Sequence, residues 1–172
     1  MKKSGRNILL ALIVSVLLML AFSPAVFSHC EIPCGIYDDA MRLEMMAEHI
    51  TTIEKSMKQI QELSEDTSKN YNQLVRWVLN KEQHADSLSD IVTQYFMKQR
   101  IKPVDSSEGQ AYQGYVQKLT TLHKLMVYSM NCKQTADLNN VAKLKQYLEQ
   151  FKALYLDTGN SASGPGHEAG HK

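Results

Sequence analysis

The stretch LEMMAEHITTIEKSMKQI, residues 43–60, carries apolar side chains at Leu43, Met46, Ile50, Ile53, Met57 and Ile60. The steps between them are 3, 4, 3, 4 and 3, the heptad alternation that lays a single seam along an α-helix. Further seams follow down the chain. The polar run Ser64–Asn70 reads as a turn, and a second helix is expected from Tyr71 to Arg100, carried by Leu74, Val78, Ala85, Leu88, Val92 and Tyr95. Pro103 and Gly109 bracket a loop. A third seam runs through Tyr112, Tyr115, Leu119, Leu122 and Met126, and a fourth through Leu138, Val141, Leu144, Leu148, Phe151 and Tyr155. Four amphipathic helices with short connections predict an all-α fold, an antiparallel up-and-down four-helix bundle.

Composition agrees with this. A chain of 172 residues suits one domain with a real core. An apolar fraction of 44% with nine Met suggests a helical, adaptable interior. Gly, Pro and β-branched runs are too sparse for an all-β fold. Lys and Arg number 19 against 18 Asp and Glu. With no basic stripe and no aromatic platform, nucleic acid is not an expected partner.

The first 28 residues have a chemistry of their own. Lys2, Lys3 and Arg6 precede an apolar run, Ile8 to Phe22, interrupted only by Ser15. Ser23-Pro24 breaks the run, and Val26 and Ser28 supply small residues at the −3 and −1 positions of a signal-peptidase site. This is the layout of a secretory signal. The run is 15 residues long, short of the roughly 20 that span a bilayer. Residues 1–28 are therefore expected to be removed, giving an exported, periplasmic or extracellular chain that meets the membrane only as its precursor. Cleavage also removes three basic residues, leaving 16 Lys and Arg against 18 Asp and Glu, a formal charge of −2.

Cleavage after Ser28 would make His29 the new N-terminus of HCEIPCGIYDD, residues 29–39. A free α-amine, the Cys30 amide nitrogen and the Cys30 thiolate then close two adjacent five-membered chelate rings on one metal ion. Cys34 can loop back through Pro33 to add a second thiolate, and the His29 imidazole can reach the axial position. Two nitrogens and two sulfurs in a plane favour Ni(II) or Cu(II) over tetrahedral zinc. Thiolates and a deprotonated amide donate strongly enough to stabilise trivalent nickel, so the segment reads as a redox metal site.

The same segment resembles the nickel-binding hook of the nickel-containing superoxide dismutases, His-Cys-x-x-Pro-Cys-Gly-x-Tyr. All six fixed positions are present: His29, Cys30, Pro33, Cys34, Gly35 and Tyr37. Weaker similarity continues in RLE at Arg42–Glu44, KEQ at Lys81–Gln83 and YF at Tyr95–Phe96, covering about residues 29–156. The resemblance implies one nickel ion per subunit of a homohexamer, an antioxidant oxidoreductase that dismutates superoxide. With the leader, the seams and a tail rich in Gly, Ser and Pro, the chain divides into a signal peptide (1–28), a nickel hook (29–38), a four-helix bundle (39–157) and a disordered tail (158–172).

The resemblance also assigns roles. His29 would give the amine and the axial imidazole, Cys30 its amide and thiolate, and Cys34 the second thiolate. Tyr37 would stand over the open face of the metal, with Tyr95 as its hydrogen-bonding partner, and Glu44 would orient the His29 imidazole. Glu31, Pro33 and Gly35 complete the surroundings of the metal. Some positions depart from the family pattern. Glu31 replaces the more common Asp, the Tyr37–Glu44 spacing is one residue shorter, and His84 stands where an Arg often approaches from a neighbouring subunit.

Competing readings remain at this stage. Cys30 and Cys34 could form a structural disulfide in an oxidising compartment, and the leader could persist as an anchor. The chain could also be an exported non-enzymatic bundle that binds metal or a partner through its N-terminus. Cys132 reads as a buried free thiol. His49, His84 and His123 read as isolated helix residues, and Lys98 or Lys102 would supply local attraction for an anionic substrate.

Overall fold

The computed structural model describes residue 15, residues 37–65 and residues 67–159. Four helices lie within these residues: α1, Asp39–Ser64; α2, Thr67–Asp90; α3, Gln110–Gln134; and α4, Leu138–Gly159. A π-helical segment, Ile91–Arg100, continues α2 without a break, and a single 3₁₀ turn, Ser106–Glu108, precedes α3. No strand occurs among the described residues. The expected all-α bundle is therefore present; residues 29–36 of the hook and all of the leader but residue 15 lie outside the described residues.

Cross-helix pairs show that each helix runs against the next. Between α1 and α2, Ser56 meets Asn80 and His49 meets His84, so one residue number falls as the other rises. Between α2 and α3, Ala85 meets Ser129 and Lys81 meets Cys132, again in opposite order. Between α1 and α4, Lys145 meets Glu54 and Tyr155 meets Asp39. With α4 closing on α1, the four helices form an up-and-down ring.

The first seam buries as the heptad steps require: Leu43, Met46, Ile50, Ile53 and Met57 are all in the core. From α2 and its continuation come Ala85, Leu88, Val92 and Tyr95, and from α4 come Val141, Leu144, Leu148 and Phe151. In α3 the buried line is Leu122, Leu125, Ser129 and Cys132, whereas Met126 is only half-buried. The sequence reading places Met126 in that line, but Leu125 takes the inward position. Ser129 is tolerated because its hydroxyl donates to Ala85 O at 2.6 Å, which satisfies a polar group that burial would otherwise penalise.

The end of the bundle nearest the start of α1 is closed by aromatic rings. Phe96 meets Tyr95, Phe151 and Tyr155 edge-on, with centroids 5.1, 5.0 and 5.4 Å away. Such edge-to-face contacts are worth about 1 kcal/mol each beyond area burial.

At the other end Lys81 acts as a cap supplied from another helix. Its ammonium donates to Cys132 O at 2.6 Å, Lys133 O at 2.5 Å and Thr135 O at 3.2 Å. These carbonyls belong to the last turn of α3, which has no internal donors left for them. The residue is only 4% exposed, and burial holds its ammonium below the usual lysine range. The KEQ motif thus begins with a structural cation. Lys81→Met, which keeps the length but removes the donors, should lower unfolding stability by about 3 kcal/mol in urea titrations with an unchanged denaturant slope.

Candidate functional site

Six of the residues expected at the metal (His29, Cys30, Glu31, Pro33, Cys34 and Gly35) lie outside the described residues. The structure does place the residues that receive the hook's C-terminal end. Asp38 caps α1 by accepting the Met41 N–H at 2.9 Å, the side-chain cap that an acidic residue before a helix provides. Tyr37 is therefore held just outside the first turn.

The adjoining Asp39 is the centre of a four-bond cluster. Its Oδ1 accepts from the Tyr95 hydroxyl at 2.6 Å and from Arg100 Nε at 2.8 Å. Its Oδ2 accepts from Arg100 Nη2 at 2.6 Å and from the Tyr155 hydroxyl at 2.9 Å. The guanidinium thus grips the carboxylate with two parallel bonds, the strongest geometry available to this pair. Burial pushes the Asp39 carboxyl up, but the Arg100, Tyr95 and Tyr155 hydrogen bonds together outweigh it and hold it below its ordinary value. Burial and then the bond to Asp39 raise both phenols, Tyr155 to about 12 and Tyr95 further still.

The π-helical geometry makes this cluster possible. Tyr95 and Arg100 are five residues apart, which on an α-helix would put them about 140° apart around the axis. The i→i+5 repeat brings them onto one face instead. Ile101 N–H donating to Phe96 O at 2.8 Å marks the same repeat at the segment's end. Both side chains then reach the same carboxylate.

The cluster also fixes Tyr37. The Arg100 guanidinium carbon lies 4.3 Å from the Tyr37 ring centroid, and the Tyr95 ring meets it edge-on with centroids 6.2 Å apart. Tyr37 remains 44% exposed, so one side is gripped while the rest stays open. On the other flank, the Arg42 guanidinium lies over the Tyr95 ring at 5.2 Å. The expected link between Tyr37 and Tyr95 is thus an aromatic contact, and the Tyr95 hydroxyl serves Asp39. Glu44 is exposed on α1.

Asp39, Arg100 and Tyr155 were not singled out by sequence reasoning. Only Asp39 had a signal, as the second acidic residue at a helix start; nothing local foretells that positions 100 and 155 converge on it. Two histidines expected to stand apart also meet, His49 Nδ1 lying 2.8 Å from His84 Nδ1. Lys98 and Lys102 are exposed, and Lys98 donates to Gln94 Oε1 at 3.3 Å. Cys132 is a buried free thiol, pushed up to about 11 by burial, and so a poor metal ligand. Among the described residues no group of three or more His, Cys, Asp or Glu is arranged to hold a metal.

Because its folded-state value is depressed, Asp39 contributes stability above its ordinary value of 3.8 and loses it as pH falls through the folded value. Asp39→Asn should cost about 2 kcal/mol at neutral pH. The difference from the unaltered chain should shrink below about pH 4 in denaturant titrations repeated across pH.

No curated protein and no solved structure matches the chain. The family model described as nickel-containing superoxide dismutase matches residues 24–159, which includes the whole hook motif and the described bundle. With most of the chain covered, and with a four-helix bundle whose first turn anchors the hook's final tyrosine, the chain belongs to the nickel-containing superoxide dismutase family.

Proposed function

We propose that the chain is an exported superoxide dismutase whose metal is held by the N-terminal hook. The observation that carries this reading is the donor set of HCEIPCGIYDD. One amine, one amide nitrogen, two thiolates and one imidazole suit Ni(II) or Cu(II) rather than zinc, and the thiolates with the amide favour the trivalent state of nickel. His29, Cys30 and Cys34 would hold the ion, and bound nickel would supply the one-electron Ni(III)/Ni(II) couple that turns two superoxide anions and two protons into oxygen and hydrogen peroxide.

The described residues support this reading from the other end of the hook. Cys34 is three residues from Tyr37, so covalent geometry keeps their Cα atoms within about 11 Å. The exposed face of Tyr37 is then available to stand over the metal, narrow access to small species and hold an ordered proton donor through its hydroxyl. Arg100 and Tyr95 prevent that ring from turning away. Pro33 and Gly35 would shape the turn between the two cysteines, Glu31 would lie beside it, and Glu44 would orient the His29 ring. A mature charge of −2 gives superoxide no global attraction, so the exposed lysines Lys98 and Lys102 would act locally.

Export belongs to the same proposal, because removing residues 1–28 creates the amine that the metal needs. Assembly as a homohexamer, implied by the family resemblance, would give the exposed α2 residues Tyr71, Val75 and Leu79 a surface to cover.

The decisive comparison is between nickel-loaded chains that begin at His29 and chains with one extra residue before it. The first should consume superoxide and show an axial-nitrogen Ni(III) EPR signal. The second should lose at least about 100-fold in activity, since removing even an outer-sphere group can cost 10- to 100-fold. Cys34→Ser should do the same with helical CD unchanged. Full activity in either altered chain would sink the hook assignment and favour a non-catalytic metal-binding or partner-binding bundle.

A further inference from the structure

The contact between His49 and His84 joins two helices at mid-height of the bundle, away from the Asp39 cluster. The two Nδ1 atoms lie 2.8 Å apart, with ring centroids 5.0 Å apart and planes at 57°. One ring must donate and the other accept, so a single proton lies between two nitrogens of the same kind. Both side chains are half-buried, open enough to exchange that proton for another cation. They also sit on rigid supports. Asn80 Nδ2 donates to Ser56 Oγ at 2.9 Å, holding α1 and α2 in register two turns away.

The separation is chemically informative. Two imidazole nitrogens bound at about 2.0 Å in cis positions of a square plane lie about 2.8 Å apart, whereas a tetrahedral centre needs about 3.3 Å. The observed spacing equals the first, but the 5.0 Å between centroids shows the two nitrogens aimed at each other. Both rings must therefore tilt about their side-chain torsions, with the helices in place, before their lone pairs converge on one ion. A tetragonal centre with nitrogen ligands is the preference of copper(II), which also heads the affinity order of the divalent first-row metals. The Glu48 carboxylate, next in the chain to His49, acts on that ring electrostatically and adds negative charge beside the pair.

We propose that His49 and His84 form a second metal site, built from none of the hook's residues. It would take a copper(II)-type dication through the two Nδ1 atoms, with water in its remaining positions. The ion replaces the shared proton and cross-links α1 to α2. The site is independent of the superoxide reading, and its test leaves that reading untouched.

The test uses the full chain from residue 29 with an acetyl group on its N-terminus and with His29→Gln, Cys30→Ser and Cys34→Ser. The hook's amine, imidazole and thiolates are then all absent, and the chain is titrated with copper(II) at neutral pH. Copper should raise the thermal midpoint by at least about 3 °C at saturating concentration, with EPR couplings from two imidazole nitrogens. His49→Gln and His84→Gln should each abolish most of that rise, while His123→Gln should keep it. No rise in the parent chain, or a rise that survives both substitutions, overturns the site. A measurement needing no change to the pair guards against variants that fail to fold. In the parent chain, substoichiometric copper should broaden the ring resonances of both His49 and His84. If both stay sharp while other histidines broaden, the proposal is wrong.

Discussion

One carboxylate ties together segments that the chain itself keeps far apart. Asp39 is 56 residues from Tyr95, 61 from Arg100 and 116 from Tyr155, yet it accepts a hydrogen bond from each. The seams alone would align three helices only loosely at this end, because apolar contact is non-directional. A carboxylate gripped by a planar guanidinium is directional, and breaking the pair would strand a part-buried charge. The α1 start, the π-helical end of α2 and the end of α4 are therefore fixed against one another, and Tyr37 with them.

The same pairing decides which charges reach solvent. Arg100 is the cation nearest Tyr37, but its charge is spent on Asp39 at 2.6 Å and on the Tyr37 ring. A tightly paired, half-buried cation contributes little field at a distance, where the two opposite charges cancel and salt screens the remainder. Attraction for a small anion would thus fall to Lys98 and Lys102, which are exposed. Arg100 holds the geometry, while the lysines would provide the steering.

Periodicity made the bundle legible because each buried seam repeats over several turns, and Leu43 through Met57 buried as the steps foretold. It failed where local backbone departs from 3.6 residues per turn. The π-helical segment Ile91–Arg100 keeps Val92 and Tyr95 buried, so the apolar pattern looks helical while the polar face is re-registered. Arg100 reads in sequence as one more exposed terminal cation, and only the i→i+5 repeat carries it to Asp39. Position 125 was missed in favour of 126 for a related reason: two adjacent apolar residues leave the seam ambiguous until the neighbouring helices fix its phase. The convergence of His49 with His84, and of Lys81 with the end of α3, depends on tertiary register, to which no single-helix pattern is sensitive.

The family was legible in the hook motif for the opposite reason: its residues are adjacent in the chain, so local spacing alone carries the resemblance. On the proposed reading, the bundle would ease the closing of that segment onto a metal. The segment 29–38 is ten residues long and runs directly into Asp39, which accepts four hydrogen bonds. Closing so short a segment onto a metal costs little chain entropy compared with gathering ligands from distant positions. Only its other end has to be supplied, and on the proposed reading that end is the amine released at the Ser28–His29 bond. An anchored start of α1 and a newly cut N-terminus are then complementary requirements. The first limits where the ligands can go, and the second completes their number.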